Sequence, residues 1–371
     1  MIYLDHAATS FPKSPTVLAA MQRWFADVGV SASRGSGTRC QLAAAETRAA
    51  RQGVARLLGC PATRIAFVSG ATEGLNLALR ALLRDGDRVL TTAFEHSSVV
   101  RPLRALQRER NLQIEIVPPA ADGSLPLAAV RTALQTFRPQ LLVFTHASNV
   151  TGACFDAAAL CSLAREGGAT TLLDASQTIG LVECNVGADV VVASTHKALG
   201  SPPGLGFVAA LTRELTPQKQ GGTGHSRALE DHPNTWPEAF EAGTPNTPAI
   251  FGLAAAFHPQ NHKTAAQRLA ASLEPLVSLS ERLATMPHVR CLLPNTEQRV
   301  PVLSLVHAQY DCAELGAMLA AQDLHVRTGH HCAPWLHAHL GTDTTGTVRI
   351  STGTCTTAAD IDAVVAFFAS L

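Results

Sequence analysis

The sequence predicts an α/β protein with a mostly parallel seven-stranded sheet and a smaller C-terminal α/β domain. Three observations carry that reading. Seven short apolar runs recur between residues 64 and 210. Helix-length amphipathic segments separate most of them. The chemically informative residues fall just past the ends of the runs, where sheets of this kind bind ligands.

Taken in order, the runs are RIAFVS (64–69), RVLTT (88–92), LQIEIVP (112–118), QLLVFTH (140–146), TTLLD (170–174), DVVVAST (189–195) and GLGFVAA (204–210). Between them lie the helical patterns TEGLNLALRALL, SSVVRPLRALQRER, LAAVRTALQTF and DAAALCSLAREGG. Strand–helix alternation on this scale argues for parallel strands joined by crossover helices. Beyond residue 250 the pattern changes. EQRVPVLSLVHA (297–308) reads as a strand, DCAELGAMLAAQ (311–322) as a helix and TGTVRIST (345–352) as a strand, before a final helix in TTAADIDAVVAFFASL. The expected division is a segment 1–20 packing with the small domain, a large domain 21–255 and a small domain 256–371.

Composition narrows the function. The chain has 371 residues, is 46% hydrophobic and carries a formal net charge of zero. No long basic run suggests nucleic acid or an acidic membrane surface. No apolar stretch approaches the roughly 20 residues of a membrane span. The start, MIYLDHAATSFP, has no apolar signal core. Nine scattered cysteines, without a C-x-x-C, point to a reduced cytoplasm rather than a disulfide framework.

Of the 29 basic residues only four are lysines: Lys13, Lys197, Lys219 and Lys263. Lys197 stands in STHKALGSPPG, at the end of an apolar run. Arginine stays protonated, whereas a lysine amine can lose its proton and become a nucleophile. Other groups end neighbouring runs. Ser69-Gly70-Ala71-Thr72 joins a strand to a helix start, which suits phosphate, although Ser69 or Thr72 as an ordinary cap explains it equally well. Asp174 ends TTLLD. A carboxylate there either caps or pairs with a protonated ring nitrogen. His96 ends another run, after Glu95, and can stack on a flat ring. Together, a phosphate-ready helix start, a carboxylate, a histidine and a lysine at strand ends of one sheet are the parts of a pyridoxal phosphate site.

Cys332 lies in Arg327-Thr-Gly-His-His-Cys-Ala-Pro, a polar setting between an arginine and histidines that favours a nucleophilic thiolate. His330, His331, Cys332, His337 and His339 also raise a metal site. Their spacing matches no zinc pattern, and Pro334 points to a loop.

The ordered motifs resemble the class V aminotransferase family, in its cysteine desulfurase and selenocysteine lyase branch. They run nearly end to end: YLDHAATS, SGATEGLN, EH, HASNVTG, DASQ, STHK, GGTG, FEAGTPNTP, RTGHHCA and VRIS. The resemblance implies a fold-type I, pyridoxal 5'-phosphate-dependent homodimer with shared active sites. It implies release of L-alanine from L-cysteine or L-selenocysteine, and a protein that accepts the sulfur or selenium. By motif, Lys197 resembles the Schiff-base lysine, Asp174 the ring-nitrogen partner and His96 the stacking residue and proton shuttle. Ala71, Thr72, Ser194 and His196 resemble phosphate ligands, and Thr244 would reach the phosphate from the partner chain. Gln177 would contact the phenolic oxygen. Asn149 and Arg349 resemble the holders of the substrate carboxylate, with Arg327 and Arg34 as further substrate-binding residues. Cys332 resembles the cysteine that takes up the chalcogen as a persulfide or selenosulfide. Two departures bear on substrate and acceptor: Ser33 stands where a histidine is usual, and A-P-W-L-H follows Cys332.

Overall fold

The computed structural model describes residues 1–30, 32, 37–224, 230–258, 263–294, 296 and 298–371. Its strands are β1 (Ile2–Tyr3), β2 (Ile65–Val68), β3 (Arg88–Thr92), β4 (Gln113–Val117), β5 (Leu141–Thr145), β6 (Thr170–Asp174), β7 (Val190–Ser194), β8 (Gly206–Ala210), β9 (Val289–Cys291), β10 (Val302–His307), β11 (Leu324–His325), β12 (Arg327–Gly329) and β13 (Thr347–Ser351). Each of the seven apolar runs forms one strand of a seven-stranded sheet, in the order β2-β8-β7-β6-β5-β3-β4. Only β8 runs against its neighbours, so the sheet is mostly parallel, as the alternation predicts.

The runs read as continuously apolar because the sheet is covered on both sides. Successive side chains of a strand alternate faces, and the core divides accordingly. Phe67, Leu142, Phe144, Leu173, Val191 and Phe207 join one apolar cluster. Ala66, Val68, Val143, Leu172, Val190 and Val192 join the other. The helices Thr38–Leu58, Ala157–Glu166 and Thr247–Ala256 pack on the first face, and the helices Ala71–Leu82 and Ser97–Arg110 on the second. Gly74 allows the close approach of Ala71–Leu82 to the sheet, since a Cβ there would lie 2.7 Å from Val192 Cγ1. β4 at the sheet edge is more exposed and alternates polar with apolar residues, as an edge strand tolerates.

A separate antiparallel sheet, β12-β13-β10-β9, has its own core with the helices Ala265–Leu283, Cys312–Ala321 and Ala358–Ala369. The N-terminal segment touches both sheets' surroundings. Ile2 and Tyr3 pair with Leu324 and His325. Ala7 N donates to Ser351 Oγ at 2.9 Å. Ser10 N donates to His196 O at 3.1 Å.

Residues 334–340 correct the sequence reading. They form a helix, Pro334–Leu340, with proline at its first turn. Proline lacks an N–H, but the first turn of a helix has no internal partner for one, so Pro334 starts this helix instead of preventing it.

Candidate active site

All parallel strands end on one edge of the large sheet, and the predicted residues meet there. Ala71, Thr72, His96, Asn149, Asp174, Gln177, Ser194, His196, Lys197, Arg327, Cys332 and Arg349 line one cavity of about 220 Å³. Thr244 does not. It lines a separate hollow with Ser69, Glu73 and Lys219. Arg34 and Ser33 lie outside the described residues.

The helix start is not capped in the ordinary way. Gly70 is the N-cap of Ala71–Leu82 and, lacking a side chain, caps nothing. Ala71 N donates instead to Ser194 Oγ at 3.0 Å, across from β7. The Thr72 and Ser98 hydroxyls meet at 2.8 Å. This gathers hydroxyls around the positive end of a helix, a favourable place for an anion. His196 sits beside it, with Nδ1 buried and unpartnered among the described residues. Burial, then Lys197 and Lys13, push its pKa down to about 4, so the ring is neutral at pH 7.

His96 begins the helix Ser97–Arg110, and its Nδ1 accepts from Ser98 N–H at 3.1 Å. That bond orients the ring and puts the neutral ring's proton on Nε2. Burial pushes His96 down to about 4. Asp174 is buried at the end of β6, and its Oδ1 accepts from Ser176 N–H at 2.9 Å. Glu95, fully buried behind His96, accepts from Thr92 Oγ1 at 2.6 Å and Thr145 N at 3.1 Å. Burial, reinforced by Asp174, pushes it up to about 8 against the pull of those donors. It is mostly a neutral acid at pH 7.

Lys197 is half-buried at the far wall. Burial pushes its amine down to about 8, with Asp174 pulling the other way and Arg349 and Arg327 adding to the lowering. Such an amine loses its proton near neutral pH, which arginine cannot do. A clamp holds the preceding peptide. Lys13 Nζ donates to His196 O at 2.7 Å, and Thr9 Oγ1 and Ser10 Oγ each donate at 3.1 Å.

Arg349 comes from β13. It is 2% exposed, with Nη2 on Asp5 Oδ1 at 2.6 Å and Nη1 on Asn149 O at 3.2 Å. Its Nε has no partner among the described residues. Asn149 Nδ2 donates to His331 O at 2.6 Å, and Gln177 Nε2 to Ala7 O at 3.2 Å. Cys332 is exposed. It and His331 both adopt left-handed backbone conformations, with φ of 58° and 46°. The Cys332 carbonyl accepts from Ser97 N at 2.6 Å, which ties this loop to the His96 helix. Cys332 also lines an outer hollow with Arg101, Arg327 and His330.

The histidines around Cys332 are engaged by the chain. His330 Nε2 meets Asp343 O at 2.7 Å, His331 Nε2 meets Thr347 Oγ1 at 2.8 Å, and His337 Nδ1 meets Thr342 Oγ1 at 2.7 Å. Sequence reasoning missed Asp5, Lys13, Ser98 and Ser176. Asp5 stands within the quoted YLDH motif, and Ser98 directly follows EHS. Lys13 was visible only as one of four lysines.

The donor set fits a phosphorylated pyridine aldehyde. Helix-end donors and a free His196 nitrogen suit the phosphate, Asp174 suits a ring nitrogen, and Lys197 suits an aldehyde. The unpartnered Arg349 Nε suits a further carboxylate.

The chain is similar to known proteins over nearly its whole length. The class-V aminotransferase profile matches residues 2–364. A cysteine desulfurase of Salmonella newport is 31% identical over 356 residues, covering 92% of this chain and 86% of that protein. A cysteine desulfurase of Thermococcus onnurineus, solved in its apo form, superposes with a TM-score of 0.89 at 27% identity, covering 98% of this chain and 93% of its own. The cysteine desulfurase CsdA of Escherichia coli, solved with an S-sulfonic acid, gives a TM-score of 0.89 at 27% identity, covering 100% and 94%. Among the described residues no helix is long and apolar enough to cross a membrane.

Proposed function

The chain belongs to the class-V aminotransferase family, which works with pyridoxal phosphate, and we propose that its reaction is removal of sulfur from L-cysteine to give L-alanine. One observation carries this reading: an exposed cysteine and a half-buried lysine of lowered pKa line the same cavity.

Pyridoxal phosphate, when bound, supplies an electron sink for the pair released at the substrate's α-carbon. The residues do the rest. Ala71, Thr72, Ser194 and His196 hold the phosphate. Asp174 would keep the ring nitrogen protonated, His96 would lie against the ring and Gln177 would serve its phenolic oxygen. Arg349 and Asn149 hold the substrate carboxylate, with Arg327 at the mouth. The neutral amine of Lys197 takes the α-proton. The Cys332 thiolate then attacks the substrate sulfur. An S–S bond forms, the Cβ–S bond breaks, and the electron pair stays with the substrate carbon. His96 supplies a proton to the β-carbon that carries that pair, and Lys197 returns the proton it took to the α-carbon, which completes alanine and leaves a persulfide on Cys332. The outer hollow beside Cys332 gives a sulfur acceptor a way in.

The assembly proposed is a homodimer in which Thr244 reaches the partner's phosphate. Its distance from its own chain's cavity supports this, since it lines a different hollow. The proposed division remains 1–20, 21–255 and 256–371; the small sheet has a core of its own, while Ala333 and Leu336 join the large sheet's core.

The test is alanine release by the purified protein, with L-cysteine and L-selenocysteine in parallel. Alanine from L-cysteine supports the reading. Alanine from L-selenocysteine alone would replace it with a selenocysteine lyase, and none from either would remove chalcogen chemistry.

A further inference from the structure

A second cavity, of about 330 Å³, lies on the other side of Lys197. It exceeds the catalytic cavity of about 220 Å³ and shares with it the wall made by Ala7, Gln177 and Lys197. The turn after the lysine, 198–200, also lines it. Pro12, Val17, Leu181, Leu199 and Val302 give it apolar surface. Apart from the Lys197 amine, its charged residues are of one sign, Lys263 and Arg268, with no aspartate or glutamate among its described lining residues.

Arg268 makes this more than a packing gap. It is half-buried, with Nε donating to Gly180 O and Nη1 to Lys263 O, both at 2.7 Å. Those bonds fix the guanidinium plane. Burial lowers its pKa, with no carboxylate offsetting it among the described residues. A cation withdrawn from water without a counter-charge is costly, and an anion beside it recovers part of that cost. A fixed guanidinium also presents its remaining N–H groups in the geometry a carboxylate accepts.

We propose that this cavity is a second binding site, for a small organic anion whose carboxylate meets Arg268 and Lys263 and whose apolar body rests on Leu181, Leu199 and Val302. At about 30 Å³ per water-sized group, its volume holds roughly eleven such groups, enough for one ring and one carboxylate. Lys197 and its following turn separate it from the catalytic cavity, so the two sites fill independently. The proposal goes beyond the desulfurase reading and does not depend on it.

Calorimetric titration of the purified holoenzyme with benzoate tests it, with benzyl alcohol as the uncharged probe. Saturating L-alanine, the reaction's product, fills the catalytic cavity in a parallel titration. Benzoate is expected to bind roughly tenfold more tightly than benzyl alcohol, with or without L-alanine. Arg268→Met is expected to weaken benzoate roughly tenfold, and the exposed Lys263→Met a few fold. Lys263→Met keeps the test decisive if Arg268→Met does not fold. Absence of benzoate binding, equal binding of the two probes, displacement by L-alanine, or unchanged affinity in the folded variants would each overturn the proposal.

Discussion

Lys197 and Cys332 share a cavity but are held in opposite ways. Lys197 follows a central strand, and a clamp of Lys13, Thr9 and Ser10 donors fixes the carbonyl before it. Cys332 is exposed, on a loop with two successive left-handed residues. Backbone-directed bonds from Ser97 and Asn149 tie that loop to the large sheet's edge, beside the buried Ala333. The difference follows the chemistry. A base must stay fixed relative to the cofactor and lose its proton, so burial serves it. A sulfur carrier must meet substrate on one side and an acceptor on the other, so exposure serves it.

The sharpest way to break the comparison is to remove each group in turn. Lys197→Ala should lower alanine release by roughly 10²–10⁴-fold, the usual contribution of a positioned base. It should also abolish the borohydride-stable link between cofactor and chain. A surviving link would move the lysine role elsewhere. Cys332→Ala should abolish alanine release from L-cysteine while leaving the cofactor's absorption spectrum unchanged. A spectrum that changed would mean the cysteine belongs to the cofactor wall as well.

The next tests separate the loop from the wall. Asn149→Ala frees the His331 carbonyl and also removes a holder of the substrate carboxylate, so it should cut kcat/KM by at least roughly tenfold, the equivalent of one hydrogen bond to a buried group. Lys13→Met should lower kcat roughly threefold to tenfold with KM for L-cysteine unchanged, because Lys13 positions the lysine and touches no substrate. A KM effect without a kcat effect would contradict that.

The smallest expected effect is on stability. Glu95 has its pKa raised to about 8 in the folded protein from an ordinary 4.5. Between those values the folded state binds more protons than the unfolded one, so this group's contribution falls as pH rises from 4.5 to 8. Glu95→Gln should flatten that part of the stability–pH profile, read by thermal melts across it. An unchanged slope would mean that Glu95 ionises normally.

The sequence made the wall more legible than the loop, for physical reasons. Strands buried on both faces are largely apolar, so the inner strands stood out, while the edge strand β4 showed instead by its alternation, and functional residues follow strand ends in such sheets. The two-residue pairing of Ile2–Tyr3 with Leu324–His325 has no periodicity to read. Pro334 misled because proline breaks helix interiors yet suits a helix start. Asp5 and Lys13 were invisible because their roles depend on contacts with residues 349 and 196, far away in sequence. Thr244 was identified by motif alone, and nothing local to it signals which cavity it serves.

The central claim is that sulfur leaves the substrate for Cys332 while Lys197 remains the base. Peptide mass analysis of the holoenzyme after a single turnover with L-cysteine tests it most directly. The account predicts one added sulfur on the peptide bearing Cys332, matched by one alanine released per chain. Free sulfide with Cys332 unmodified, or sulfur found instead on the other exposed cysteine, Cys355, would contradict it.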